Sequence, residues 1–352
     1  MLGYYRLTAA IGVLIAHANL GSDSMSRAMV GAFFILSGYL MAMTLSGNYS
    51  GNPLPFYWNR FLRIYPMHTI VALAIFVLTP SFAREVLGSG PTEDYVTALF
   101  GSLTLMFGYQ PLIGPAWTLP YELSFYLIAP IFLPLRWRSM PIGLLILVTA
   151  STAWLYVHAA LPFMLRPFAI GYTHPVTIPT SMLMFAFGAI LHELRNHIGH
   201  TRADGALEWT GILLLLGLII LGSRYINPDM KELDANFGNT FQIVTYLSAA
   251  LMLLGWRRSE SPTSKLAGDL TNPTYLVHWP LLHAGIFNLT ILRQTTDWFG
   301  KLFPLGHLVA ISTIVLSLTL LLSYVLLRFD ARFIQICRSR ERNSIRRRIA
   351  LS

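Results

Sequence analysis

"RLTAAIGVLIAHA", residues 6–18, decides which solvent this chain must satisfy. Between Arg6 and His17 it holds only Leu, Thr, Ala, Ile, Gly and Val, the composition of a helix that sits in lipid or in a core. At 1.5 Å per residue the two ionisable groups stand roughly 16 Å apart, about half the thickness of a bilayer's hydrocarbon core. Arg6 can snorkel to the interface, whereas His17 cannot. An ionisable side chain at that depth costs several kcal/mol unless it is paired, hydrated or turned to the bundle interior, so His17 is a functional candidate by default. A histidine that merely bridges two helices is the competing reading.

The composition fits a membrane solvent. Of 352 residues 54% are hydrophobic and 12% charged, with a mean hydropathy of +0.55. Soluble domains carry about a quarter charged residues. The net charge of +9 gathers partly in "RFIQICRSRERNSIRRR", residues 332–348. Arginines clustered beside a membrane helix mark the cytoplasmic side rather than a nucleic-acid site. The single cysteine, Cys337, lies in that tail, which excludes an intrachain disulfide and a cysteine-based metal cluster, and no metal site is expected. Ala16-His17-Ala18 imitates a signal-peptide cleavage site, but the apolar run contains the histidine itself and another hydrophobic segment follows at once.

Apolar stretches long enough to span lie near 5–21, 28–46, 60–79, 116–135, 140–160, 176–193, 208–226, 239–256, 267–291 and 305–328. The sequence therefore predicts an all-α polytopic membrane protein of about ten transmembrane helices. "YVTALFGSLTLMFGY", residues 95–109, is too short to join them and is expected to be re-entrant or interfacial. The basic connections "LPLRWRS", "HELRNHIGHTR" and "WRRSESPTSK" alternate correctly if both termini face the cytoplasm. The chain divides into a membrane domain, residues 1–330, and a basic cytoplasmic tail, residues 331–352. No internal repeat is visible.

Other polar residues join His17 inside apolar segments. "WTLPYELSFYLIAP" carries Glu122 a little over one turn past Trp117, in the same outer half of the membrane as His17. A carboxylate near a histidine can orient it as a base; the alternative is that Glu122 pairs with an arginine. "TNPTYLVHWPLL" supplies His278, a further site residue or an interhelical hydrogen bonder. "GAFFILSGYL" supplies Ser37 beside Gly38, which reads as a reactive hydroxyl or as close helix packing. "FYWNRFLRIYP" sets Arg60 and Arg63 three apart on one helix face, fit for phosphate oxygens of a ligand or of lipid.

Taken together, "RLTAAIGVLIAHA", "FFILSGYLM", "FYWNRFLRIYP", "WTLPYELSFYLIAP" and "TYLVHWPLL" resemble, in order and spacing, the motifs of the membrane-bound acyltransferase-3 family of bacterial surface-glycan O-acyltransferases. The resemblance spans nearly the whole chain. It implies transfer of an acyl group, usually acetyl, from cytoplasmic acetyl-CoA or another acyl-CoA to a hydroxyl of a polysaccharide, lipopolysaccharide or lipid-linked sugar. It also implies a multi-pass protein of the bacterial inner membrane. On that footing His17 is the base with Glu122 as its orienting partner, and Arg6, Arg60 and Arg63 serve the donor. Ser37, Trp117 and His278 are substrate or oxyanion candidates. Where the family has a Ser-Tyr-Ser run, this chain reads Thr271-Asn272-Pro273-Thr274, and Pro273 is expected to break or kink that helix. With the chain stopping in the arginine tail after Phe329, a stand-alone acyltransferase without the esterase-like domain of many relatives is expected. A secondary transporter or channel lined by Arg6, His17, Glu122 and His278 is the rival from another class, and repeat symmetry would be its mark.

Overall fold

A computed structural model describes residues 1–47, 53–88, 95–107, 109–134, 141–160, 178–223, 231–283 and 313–330, with the isolated residues 332 and 335. Among them every regular element is helical. The order is α1 (Leu2–Ile15), a π-helical turn (Ala16–Leu20), α2 (Asp23–Ser46), α3 (Leu54–Leu78), α4 (Pro80–Gly88) and α5 (Tyr95–Thr104). A 3-10 turn (Gly114–Thr118) leads into α6 (Leu119–Phe132), followed by α7 (Ile142–Ala160), α8 (Ile178–Ile198), α9 (Asp204–Gly222), α10 (Lys231–Gly255) and α11 (Pro262–His283). The last described helix is α12 (Thr313–Asp330). Cys337 and the basic tail lie outside the described residues, apart from positions 332 and 335.

Among the described residues, four helices are long and apolar enough to cross a membrane: α2, α3, α9 and α12. On α3, α9 and α12 the exposed positions include large apolar side chains, Ile70, Leu73 and Val77 on α3 and Leu321, Leu322 and Val325 on α12. On α9, Ile212, Leu215, Leu218 and Ile219 turn inward while Trp209, Leu213, Leu216 and Ile220 turn outward. A helix hydrophobic all round belongs in a core or in lipid, and these outward residues have no protein to cover them. The chain is a membrane protein.

The centre is α2, whose apolar window is 72% buried against 17% for α12 at the periphery. Its first turn is fixed by Ser22, whose hydroxyl accepts from the Met25 backbone N–H at 3.1 Å, with Asp23 at the positive end of the helix dipole. Where α2 meets α8 the backbones touch. A Cβ on Gly38 would stand 1.9 Å from the Phe185 carbonyl oxygen, and one on Gly188 would stand 1.9 Å from that of Ile35. Two bare glycines let these helices pack closer than any larger pair allows.

Paired contacts fix helix directions. Tyr39 packs edge-on to His192 and Phe34 tilts over Phe185, so α2 and α8 run the same way. Gly3 abuts Ser264 and His17 meets His278, so α1 and α11 also run together. Gly211 lies on Ser248 while Gly255 lies on Asp204, so α9 and α10 are antiparallel.

The segment read as re-entrant or interfacial is the ten-residue helix α5. It runs back along α3, with Tyr95 stacked on Phe76 and the Thr104 carbonyl accepting from the Tyr65 hydroxyl at 3.2 Å. The helix α4 just before it had no signal beyond Pro80 at its start. Pro273 does not break its helix. The helix α11 passes through both Pro273 and Pro280, with Pro273 buried, because neighbouring helices hold the segment where a proline would end it in water.

Candidate functional site

The π-helical turn that ends α1 carries His17, and such turns insert one residue into the helical register and re-aim the side chains after it. His17 Nδ1 lies 2.9 Å from His278 Nε2, with the two rings stacked at 5.2 Å between centroids. His278 is fully buried, and its Nδ1 lies 3.1 Å from the Thr274 carbonyl oxygen. A carbonyl can only accept, so the proton on that bond belongs to His278 Nδ1. Its Nε2 is then the lone pair that accepts from His17 Nδ1–H. The same accounting leaves His17 Nε2 as an open lone pair. Two hydrogen bonds thus select one tautomer of His17.

Trp279 closes one side of His17, ring edge to ring face at 5.2 Å, and lies tilted over His283 at 4.0 Å. Nothing in the sequence singled out Trp279, since tryptophan is an ordinary residue of membrane segments. Its place is secured by Gly114, where a Cβ would come within 2.4 Å of the indole.

One turn along α11 from His278, Tyr275 marks the end of a large, open-sided cavity. The polar side chains facing it include Arg6, Ser37, Arg63, Glu122 and Asn272. Here the fold departs from the expected pairing of His17 with Glu122. The Glu122 carboxylate accepts from the Ser37 hydroxyl at 3.2 Å and from the Tyr126 hydroxyl, both through Oε1. The partner of His17 is His278 instead. Glu122 opens α6 after the 3-10 turn and therefore points to α2 and α3, not across to the end of α1.

The same geometry places the remaining candidates. Ser37 is not beside His17, because its proton is committed to Glu122, while its neighbour Gly38 does pack against α8 as close packing requires. Trp117 faces a second cavity and sits edge-on to Tyr121 at 5.9 Å. Arg60 and Arg63 do not form a fork. Arg63 faces the large cavity, whereas the Arg60 guanidinium lies over the rings of Phe56 and Tyr126 at 5.4 and 5.5 Å. Its Nε and Nη1 are buried with no hydrogen-bond partner among the described residues. An i, i+3 spacing shares a helix face, but the aromatic side chains around it choose where each guanidinium goes.

The acyltransferase-3 family profile, described as an acyltransferase domain, matches residues 2–328. The chain belongs to this family. It is similar to acyltransferase MdmB of Streptomyces mycarofaciens, 28% identical over 184 residues that are 50% of this chain and 44% of the relative. Nodulation protein 10 of Rhizobium leguminosarum bv. viciae is 24% identical over 310 residues, 79% of this chain and 81% of the relative. Peptidoglycan O-acetyltransferase OatA of Listeria monocytogenes serovar 1/2a (strain ATCC BAA-679 / EGD-e) is 27% identical over 172 residues, 43% of this chain and 28% of the relative. The matches to MdmB and OatA thus span less than half the length of those relatives. No solved structure matches the chain significantly.

Proposed function

We propose that this protein is a membrane O-acyltransferase that moves an acyl group, acetyl in the first instance, from cytoplasmic acyl-CoA to a hydroxyl of a glycan on the far side of the bacterial inner membrane. The observation that carries the reading is the tautomer lock: Thr274 carbonyl to His278, and His278 to His17 Nδ1. A histidine so held has one open lone pair, on Nε2, which is what a general base needs. The acceptor hydroxyl gives its proton to that Nε2 as its oxygen bonds to the thioester carbonyl carbon. The carbon–sulfur bond then breaks, and the leaving thiolate takes the proton back from Nε2, so His17 ends as it began. His278 is a positioning residue here, since the Thr274 carbonyl behind it cannot take a proton onward.

The large cavity suits the donor's arm. It lies next to His278 along α11 and runs toward Arg6, at the end of α1 opposite His17. Two guanidiniums and one carboxylate make it only weakly cationic, fit for the amides and hydroxyl of a pantetheine arm, with the phosphates held nearer the cytoplasm. Arg6 and Arg63 attract the donor, and Glu122 accepts hydrogen bonds. The proposed arrangement has ten crossings with both termini in the cytoplasm, and the helix directions support leaving α5 out of that count. Counting α5 as a further crossing would reverse every later helix and make α2 and α8 antiparallel, against their contacts.

Mass spectrometry of surface glycans tests the reading, in cells with the gene, without it, and with His17→Ala. Acyl groups present only with the unaltered gene are the expected result. A glycan profile independent of the gene overturns the function, and normal acylation by His17→Ala overturns the base.

A further inference from the structure

The second cavity, open on one side, is walled by Phe107, Tyr109, Trp117 and Tyr121 beneath the turn that follows α5. The turn is heavily braced. His68, fully buried on α3, donates from Nε2 to the Ser102 carbonyl at 3.1 Å, and the Ser102 hydroxyl accepts from the Leu112 backbone N–H at 2.8 Å. Within the brace the backbone is strained. Leu105 has φ +57°, a left-handed conformation that a leucine rarely adopts. Gly101 lies flat against Tyr109, where a Cβ would come within 2.1 Å of the ring. Strain and close backbone approach persist where the surroundings hold them, and here they keep an aromatic box open.

The box shares a wall with the histidine pair. Gly114, at the start of the 3-10 turn, abuts Trp279 beside His17, and Ala116 and Trp117, two and three residues later, line the box. It also lies at a similar depth. The Tyr275 hydroxyl donates to the Pro115 carbonyl at 3.2 Å, and Leu112, three residues before Pro115, is tied through Ser102 to His68, so the box stands level with the turn that holds His278.

We propose that this box is an acceptor subsite that holds one pyranose ring of the glycan, the apolar C–H face of the sugar lying on an aromatic face, while a neighbouring hydroxyl reaches His17. The inference rests on the glycan acceptor proposed above and names how it is bound. Tyr and Trp rings present an apolar face with a polar tip, which matches a sugar's alternation of C–H faces and hydroxyl edges. A box made for an aliphatic chain would be walled by Leu, Ile and Val, and here Leu105 and Met106 are a minority.

Saturation-transfer NMR on the full chain in nanodiscs tests it, with methyl β-D-glucopyranoside, methyl β-D-galactopyranoside and N-acetylglucosamine as probes and decanoate as the aliphatic competitor. Irradiating the protein's aromatic protons should pass saturation to the ring C–H protons of at least one sugar. Trp117→Leu should weaken that sugar's binding about tenfold, the scale of a lost aromatic stacking contact, and Trp117→Phe should retain most of it. Gly101→Ala, which pushes the Tyr109 ring into the box, should block the same signal, so the test does not depend on one variant's folding. No saturation on any sugar, binding unchanged in both Trp117→Leu and Gly101→Ala, or displacement of the sugar by decanoate overturns the subsite. Acetyl-CoA binding by the unaltered protein in the same nanodiscs separates the two readings: donor binding without sugar binding rejects only the subsite, and its absence rejects the proposed function.

Discussion

Replacing His17 by alanine deletes the only open imidazole lone pair of the histidine pair, and the turnover number should fall by about 10²–10⁴, the usual contribution of a positioned base. Single-turnover transfer from radiolabelled acetyl-CoA reads this directly. His278 offers a finer test. His278→Ala leaves His17 Nδ1–H without its acceptor and the ring free to change tautomer, so kcat should drop by about tenfold or more while the donor KM holds. His278→Gln offers a carbonyl oxygen to the same N–H and should recover part of the loss. Equal losses in both variants would reduce His278 to packing. Glu122→Gln should lower turnover less than His17→Ala does, because its contacts are the Ser37 and Tyr126 hydroxyls and not the pair; the reverse order would transfer the base role to Glu122. His17, Arg6 and Glu122 were legible because a charge or an imidazole in an apolar segment has few innocent explanations. Which of them meet was not legible. Glu122 and His17 share a depth by residue counting, but rotation about each helix axis decides contact, and the 3-10 turn before α6 sets that rotation.

At the scale of elements, the α2–α8 seam should be the least tolerant of added volume. Gly38→Ala and Gly188→Ala each place a methyl within 1.9 Å of a backbone oxygen, which cannot move aside as a side-chain tip can. Each should cost about 1–3 kcal/mol or more through overpacking, seen as a lower melting temperature in detergent. Gly205→Ala, at the start of α9 with open space around it, is the control and should melt near the parent. The connection from α8 to α9 is held differently. Arg195 grips the buried Asp204 through Nη1 and Nη2 at 3.1 and 2.6 Å, the Thr201 amide and hydroxyl donate to the same carboxylate, and His200 Nδ1 and Arg257 Nε reach it at 3.1 and 3.8 Å. The sequence displayed this stretch only as a basic loop, since positive charge tells orientation but not whether an arginine has turned inward. Most helix bodies were legible from apolar run length. The helix α4 was not, nor the continuity of α11 through Pro273, because both rest on the company of neighbouring helices rather than on local preference.

The whole molecule makes its strongest statement through helix direction. Parallel contacts of α1 with α11 and of α2 with α8 require an odd number of crossings between the two members of each pair, which the proposed ten-pass arrangement, with α5 not crossing, provides. The consequence can be measured on cells. Cys337 is the chain's single cysteine, so Cys337→Ser supplies a background without thiols and should keep full transfer activity, there being no cysteine in any spanning segment to carry the acyl group covalently. A cysteine placed at Gly88, where nothing crowds the backbone, reports the connection between α4 and α5. A second at His197, exposed at the end of α8, reports the connection to α9. A membrane-impermeant maleimide should label Gly88→Cys in intact spheroplasts and His197→Cys only after permeabilisation. Labelling of both from the same side would mean an even number of crossings between them, as when α5 also spans, and the ten-pass arrangement would have to be redrawn, with His17 and Arg6 on exchanged faces if that side is the cytoplasm.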